Sequence, residues 1–184
     1  MYKELDETQL AAGCRRGDSG ATEELYRRYA ARLFALCNRY TISLEDAEDL
    51  MQESMIRALD KINSFEFKGD GSLYAWISRI AINMALNNIR KRKSQPNASE
   101  QGFSDDVPDP SESEMMSVPQ EKLLEMISRL PETRRAVFNL YCIDGFSHRE
   151  IGKTLGISEK GSASILAKAR AQLKEDIYRF LNED

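Results

Sequence analysis

Residues Ser94 to Pro119 carry six acidic side chains, no Lys or Arg, repeated Ser and Pro, and no apolar residues at helical spacing. So polar a stretch cannot bury enough apolar surface to repay the entropy of folding, and it reads as a flexible acidic linker. Its position constrains the architecture. A chain of 184 residues interrupted there builds two small cores, one in residues 1–93 and one in 120–184. The linker is also half of a segregated charge pattern. Net charge is −4 overall, but Lys68 to Lys93 carries +5 directly before the linker's −6. A basic block of that density points to a polyanionic partner despite the acidic total.

Both flanking segments read as helical, which makes the expected fold all-α. In the first, Leu44, Ala47, Leu50, Met51, Met55, Ala58, Leu59 and Ile62 form one apolar stripe over about Ser43 to Ile62. Ser43 with Asp46 supplies a capping-box-like start, and an amphipathic segment from Ser19 to Tyr40 precedes it. A further helix follows the loop Phe65 to Gly71, with Ser72 as its cap and Leu73, Trp76, Ile77, Ile80, Ala81 and Met84 as its buried stripe. Arg79, Asn83, Asn87 and Arg90 recur at steps of four, four and three and so share another face, which Arg90-Lys-Arg-Lys93 closes with positive charge.

The second segment reads as Glu121 to Leu130, a helix opened by Pro131 and reaching Ile143, then a turn at Gly145. Ser147 and Glu150 make a capping box for a short helix that Gly156 ends, and Ser158 caps the last helix. A short helix, a Gly-containing turn and a longer helix make the helix-turn-helix pattern. The longer helix is expected to offer Lys160, Ser162, Ser164 and Lys168 to solvent for phosphate and base contacts.

Composition and motifs narrow the chemistry. With 41% hydrophobic and 30% charged residues, the chain suits a soluble helical protein. No apolar run reaches membrane-spanning length, and the polar start Met1 to Gln9 carries no signal-peptide pattern, so the expected location is the cytoplasm. Cys14, Cys37 and Cys142 lack a CxxC spacing and sit among apolar helical positions, where reduced, partly buried thiols are expected. His148 is the single histidine, a poor supply for zinc. No nucleophile, phosphate-loop or zinc-protease motif is present, and Gly69-Asp-Gly71 reads as a tight turn. Asparagine and arginine at base-edge spacing beside aromatic rings suit nucleic acid. For Trp76 alone, the core reading stands ahead of the stacking one.

Three motifs resemble one family. Asp46-Ala-Glu-Asp-Leu-Met-Gln-Glu53 is similar to the polymerase-binding helix of extracytoplasmic-function (ECF) sigma factors. Lys68 to Asn83 is similar to their promoter-melting loop and reading helix, and Leu130 to Phe138 with Ser147 to Leu166 to their C-terminal domain. The resemblance implies that Asp46, Asp49, Leu50, Gln52, Glu53 and Arg57 dock on core RNA polymerase. It implies that Phe65, Phe67, Lys68, Tyr74, Trp76, Arg79, Asn83, Asn87, Arg90, Lys91, Arg92 and Lys93 serve the minus-ten element. The spacing Ser64-Phe-Glu-Phe67 lets either phenylalanine line the base pocket. Ser147, Arg149, Ser158, Lys160, Gly161, Ser162, Ser164, Ile165 and Lys168 would serve the minus-thirty-five element. Lys160-Gly161 stands where members usually have Gly-Thr, and Ala163 where a base is frequent, so no sequence preference for that element is implied.

The resemblance further implies domains at 1–93 (region 2) and 120–184 (region 4), with the linker 94–119 threading the polymerase channel that later holds RNA. It implies promoter DNA as a partner, an anti-sigma factor by family habit alone, no cofactor and no catalysis. Energetics agree that a partner is needed. Unstacking about ten base-pair steps at roughly 1.4 kcal/mol each costs on the order of 14 kcal/mol. Stacking one or two captured bases returns only about 1–3 kcal/mol each. Two rival readings are a conventional helix-turn-helix regulator and a helical carboxylate metalloenzyme built on Asp46, Asp49 and Glu53.

Overall fold

The computed structural model describes residues 4–93 and 117–182, so most of the expected linker, 94–116, lies outside the described residues. Eight α-helices follow in order: α1 (Glu7–Arg15), α2 (Ser19–Asn38), α3 (Leu44–Asp60), α4 (Ser72–Lys93), α5 (Gln120–Arg129), α6 (Glu132–Phe138), α7 (His148–Leu155) and α8 (Glu159–Asn182). Among the described residues there is no strand. No described helix is long and apolar enough to cross a membrane. The chain groups into two compact units, Met1–Leu86 and Asn87–Asp184, with the division inside α4.

In the first unit, α1 packs on α2 and α2 on α3. Leu10, Leu25, Leu33, Leu73, Ile77 and Leu86 are fully buried, joined by Ala47, Met51, Met55 and Ala58 of the α3 stripe. Each of the leucine, isoleucine and methionine side chains contributes about 1.5–3 kcal/mol by leaving water. Ser54, polar and buried in this core, is satisfied locally, because its hydroxyl donates to the Leu50 carbonyl at 2.6 Å. Leu44 departs from the expected stripe. It is exposed at the first position of α3.

Helix starts follow the side chains that can take orphan amides. Asp6 and Gln9 make a reciprocal capping box on α1, and Ser43 accepts the Asp46 amide on α3. Ser72 is the first residue of α4 and does not cap it; the Leu73 amide is taken at 3.0 Å by Glu7 from α1.

In the second unit, Val118, Met126, Leu130, Ala169, Leu173 and Ile177 form one buried cluster between α5 and α8. Helix α6 breaks into one π-helical stretch at Asn139–Ile143, short of the uninterrupted helix expected there. The turn after α7 is tight. A Cβ added at Gly152 would stand 2.7 Å from the Ile157 carbonyl oxygen, so only glycine lets the two backbones approach this closely. Ser147 and Glu150 form the expected capping box, and Ser158 accepts the Gly161 amide at 2.9 Å to start α8.

Candidate nucleic-acid interface

On α4, the core stripe takes Leu73, Ile77, Ala81 and Met84, which turns Arg79, Asn83, Asn87 and Arg90 outward, and all four are exposed. Arg79 and Asn83 stand four residues apart, about 6 Å at the α-helical rise. Lys91 and Arg92 are exposed beyond it, while the Lys93 side chain lies outside what is described.

The loop entering α4 sorts its aromatic residues by burial. Phe65 is 4% exposed, with its ring centroid 5.6 Å from that of the half-buried Trp76. Phe67 is 46% exposed, and Lys68 beside it is exposed too. Of the two phenylalanines that the spacing leaves open, Phe67 is therefore the exposed one. Tyr74 is engaged from within. The Arg32 guanidinium lies 3.8 Å from its ring centroid, its hydroxyl donates to the Arg32 carbonyl, and the Tyr29 ring lies 5.8 Å away. Gly71, at φ +85°, makes the left-handed turn into α4 that a side-chained residue would resist.

Helix α3 presents a second face. Asp49, Gln52, Glu53 and Arg57 are exposed and Asp46 is half-buried. Leu50 departs from the sequence reading. It is 4% exposed and packs in the core stripe, so it cannot reach a docking partner. Ile56 takes the apolar place on this face instead. It is 61% exposed, one turn after Gln52 and Glu53. The signal for it was present in the sequence: an isoleucine one step off the buried stripe of an amphipathic helix. These acids build no metal site, and among the described residues no group of three or more His, Cys, Asp or Glu could hold a metal ion.

In the helix-turn-helix, Ser147, Arg149, Ser158, Lys160, Ser164 and Lys168 are exposed, and Gly161 and Ile165 are half-buried. Ser162 departs from its expected place in solvent. It is 0% exposed, and its hydroxyl lies 3.0 Å from His148 Nδ1, linking α8 to the start of α7. The His148 ring stacks on Tyr141 with centroids 4.4 Å apart. Cys14 and Cys37 are buried, whereas Cys142 is exposed, because the π-helical stretch turns it outward.

Fold and charge layout together define an all-helical protein with a basic helix end and a helix-turn-helix unit. Comparison with known proteins narrows the class. Residues 25–95 match the family model for Sigma-70 region 2, and residues 120–173 match that for Sigma-70, region 4. The ECF RNA polymerase sigma factor SigM of Mycobacterium tuberculosis is 29% identical over 92% of this chain and 84% of its own length. The ECF RNA polymerase sigma-E factor of Haemophilus influenzae is 29% identical over 96% of this chain and 98% of its own. Among solved structures, the sigma factor RpoE from Bartonella quintana, in complex with the anti-sigma factor NepR, shares the fold. Its TM-score is 0.52 at 20% identity, covering 85% of this chain and 96% of that one.

The chain belongs to the extracytoplasmic-function subfamily of sigma factors. It is an alternative sigma factor that binds core RNA polymerase and directs promoter-specific initiation, and it is not an enzyme. That membership displaces both the conventional regulator and the metalloenzyme.

Proposed function

We propose that exposed faces of α3 and α4 divide the labour of initiation. The exposed acids of α3, with Gln52 and Ile56, dock on core polymerase. The α4 row of Arg79, Asn83 and Asn87 reads the minus-ten element, and Phe67 with Lys68 takes an unpaired base. Phe65 and Tyr74 support this surface from inside, and Arg90, Lys91, Arg92 and Lys93 neutralise phosphates. The single observation that carries the reading is the separation of an exposed Asp49-Gln52-Glu53 face on one helix from an exposed Arg79-Asn83 face on another.

On this reading the domains are 1–93 and 120–184, and the acidic segment 94–119 threads the polymerase. Helix α8 contacts the minus-thirty-five element through Lys160, Ser164 and Lys168, with Ser147 and Arg149 on phosphates. An anti-sigma factor belongs to the reading as well, supported by the complex in which the Bartonella relative was solved. Its working place is the cytoplasm, where polymerase and chromosome are.

The test separates the faces. Asn83→Ala is expected to lose promoter opening, read by permanganate reactivity of unpaired thymines, while binding core polymerase as wild type does. A Gln52→Ala/Glu53→Ala double variant is expected to lose polymerase binding. Equal loss of polymerase binding in both would contradict the division.

A further inference from the structure

The loop that presents Phe67 and Lys68 is held at both ends by α1, a helix that precedes the residues matched by the region 2 family model. At the incoming end, the Arg15 guanidinium donates from Nε to the Ile62 carbonyl at 3.2 Å and from Nη2 to the Phe65 carbonyl. At the outgoing end, the Glu7 carboxylate accepts the Leu73 amide at 3.0 Å and the Ser72 hydroxyl at 3.4 Å. The Ser72 oxygen in turn accepts the Lys68 amide at 3.2 Å. A chain of polar contacts therefore runs from Glu7 into the middle of the loop. Glu7 is fixed on its other oxygen, which accepts from the hydroxyl of the buried Tyr29 at 3.0 Å.

The chemistry of these contacts is that of a splint. Glu7 and Arg15 stand eight residues apart on one helix, about 12 Å at the α-helical rise. Three of the loop-side atoms they hold are backbone atoms, so α1 fixes where the loop runs rather than which side chains it carries. Arg15 reaches two carbonyls with one planar fork, which an ammonium group cannot reproduce. A loop already held in its binding geometry pays less ordering entropy when a base arrives.

We propose that Glu7 and Arg15 are positioning residues for the minus-ten step, presenting Phe67 and Lys68 in place before DNA is bound. The proposal rests on the reading of Phe67 and Lys68 as the base-capturing pair given above. It assigns the N-terminal helix a part in promoter opening, although α1 has no side chain in the DNA-reading row.

The test uses holoenzyme assembled from core polymerase and the full chain. The probe is a fluorescent single strand carrying the minus-ten sequence of a promoter found by run-off transcription. Glu7→Ala and Arg15→Ala are each expected to weaken probe binding about fivefold to tenfold, the lower end of what losing one stacked base costs. Affinity for core polymerase is expected to stay unchanged. Glu7→Gln, whose amide oxygen still accepts the Leu73 amide, is expected to retain most of the binding. Arg15→Lys keeps the charge but not the fork and is expected to behave like the alanine variant. In a Phe67→Ala/Lys68→Ala background the α1 substitutions are expected to add no further loss, because they act through those two side chains. Losses that add to the Phe67→Ala/Lys68→Ala double variant, or that fall equally on polymerase binding, overturn the proposal in favour of a merely structural helix. Normal binding by the α1 variants where Phe67→Ala is defective overturns it too. If Phe67→Ala and Lys68→Ala both bind the probe normally, the base-capture reading fails first, and the proposal with it.

Discussion

Glu24 is buried on α2 between two guanidinium groups, Arg27 at 2.6 Å and Arg28 at 3.0 Å. Its hydrogen bonds to Arg27 above all, opposed by burial and helped by Arg28, hold the carboxyl down from 4.5 to about 2. A folded value below the unfolded one means that the pair stabilises the fold above about pH 4.5 and is lost as pH falls through about 2. Urea denaturation at a series of pH values checks this, and Glu24→Gln is expected to flatten the acid limb between those limits while changing little of its slope near neutrality. Gly152 is the other residue whose surroundings decide its identity. Gly152→Ala forces a methyl to 2.7 Å from a backbone oxygen that has no flexible end to move, and the expected cost is about 1–3 kcal/mol in chemical denaturation. Residue-scale outcomes were only partly legible in the sequence. Phe65 and Phe67 share a side-chain type and a loop, and only the packing of Phe65 against Trp76 tells them apart. Ser162 reads as a surface hydroxyl until His148, fourteen residues earlier in the chain, arrives to take it.

Helices α2, α3, α4, α7 and α8 could be read from apolar spacing, and α3, α7 and α8 from their serine caps as well. Helix α1 does not stand out in that way. It has nine residues, and its importance lies in contacts with residues 62 to 73, which no local pattern announces. The face of α3 proposed to dock shows the opposite case. The periodicity that buries Leu50 and Met51 also leaves Ile56 outside, so the exposed isoleucine was legible as an exception to its own helix. Ile56→Ser is expected to weaken binding of core polymerase severalfold, measured by fluorescence anisotropy, while leaving the thermal midpoint of the free protein almost unchanged. Loss of stability with unchanged affinity would return Ile56 to the core.

At the scale of the whole chain, charge distribution carries more information than net charge. A protein at −4 keeps +5 within Lys68 to Lys93 and −6 within Ser94 to Pro119, which suits one partner made of phosphates and another that is basic. The opening cost derived above, on the order of 14 kcal/mol, exceeds what one or two stacked bases return. The free protein is therefore a guide, and polymerase supplies the remaining work. Run-off transcription with core polymerase on fragmented genomic DNA, with and without the protein, tests this most directly. Discrete new transcripts that require the protein and disappear with Asn83→Ala are expected. Sequence-specific duplex binding by the protein alone, with no new transcripts when polymerase is added, would contradict it.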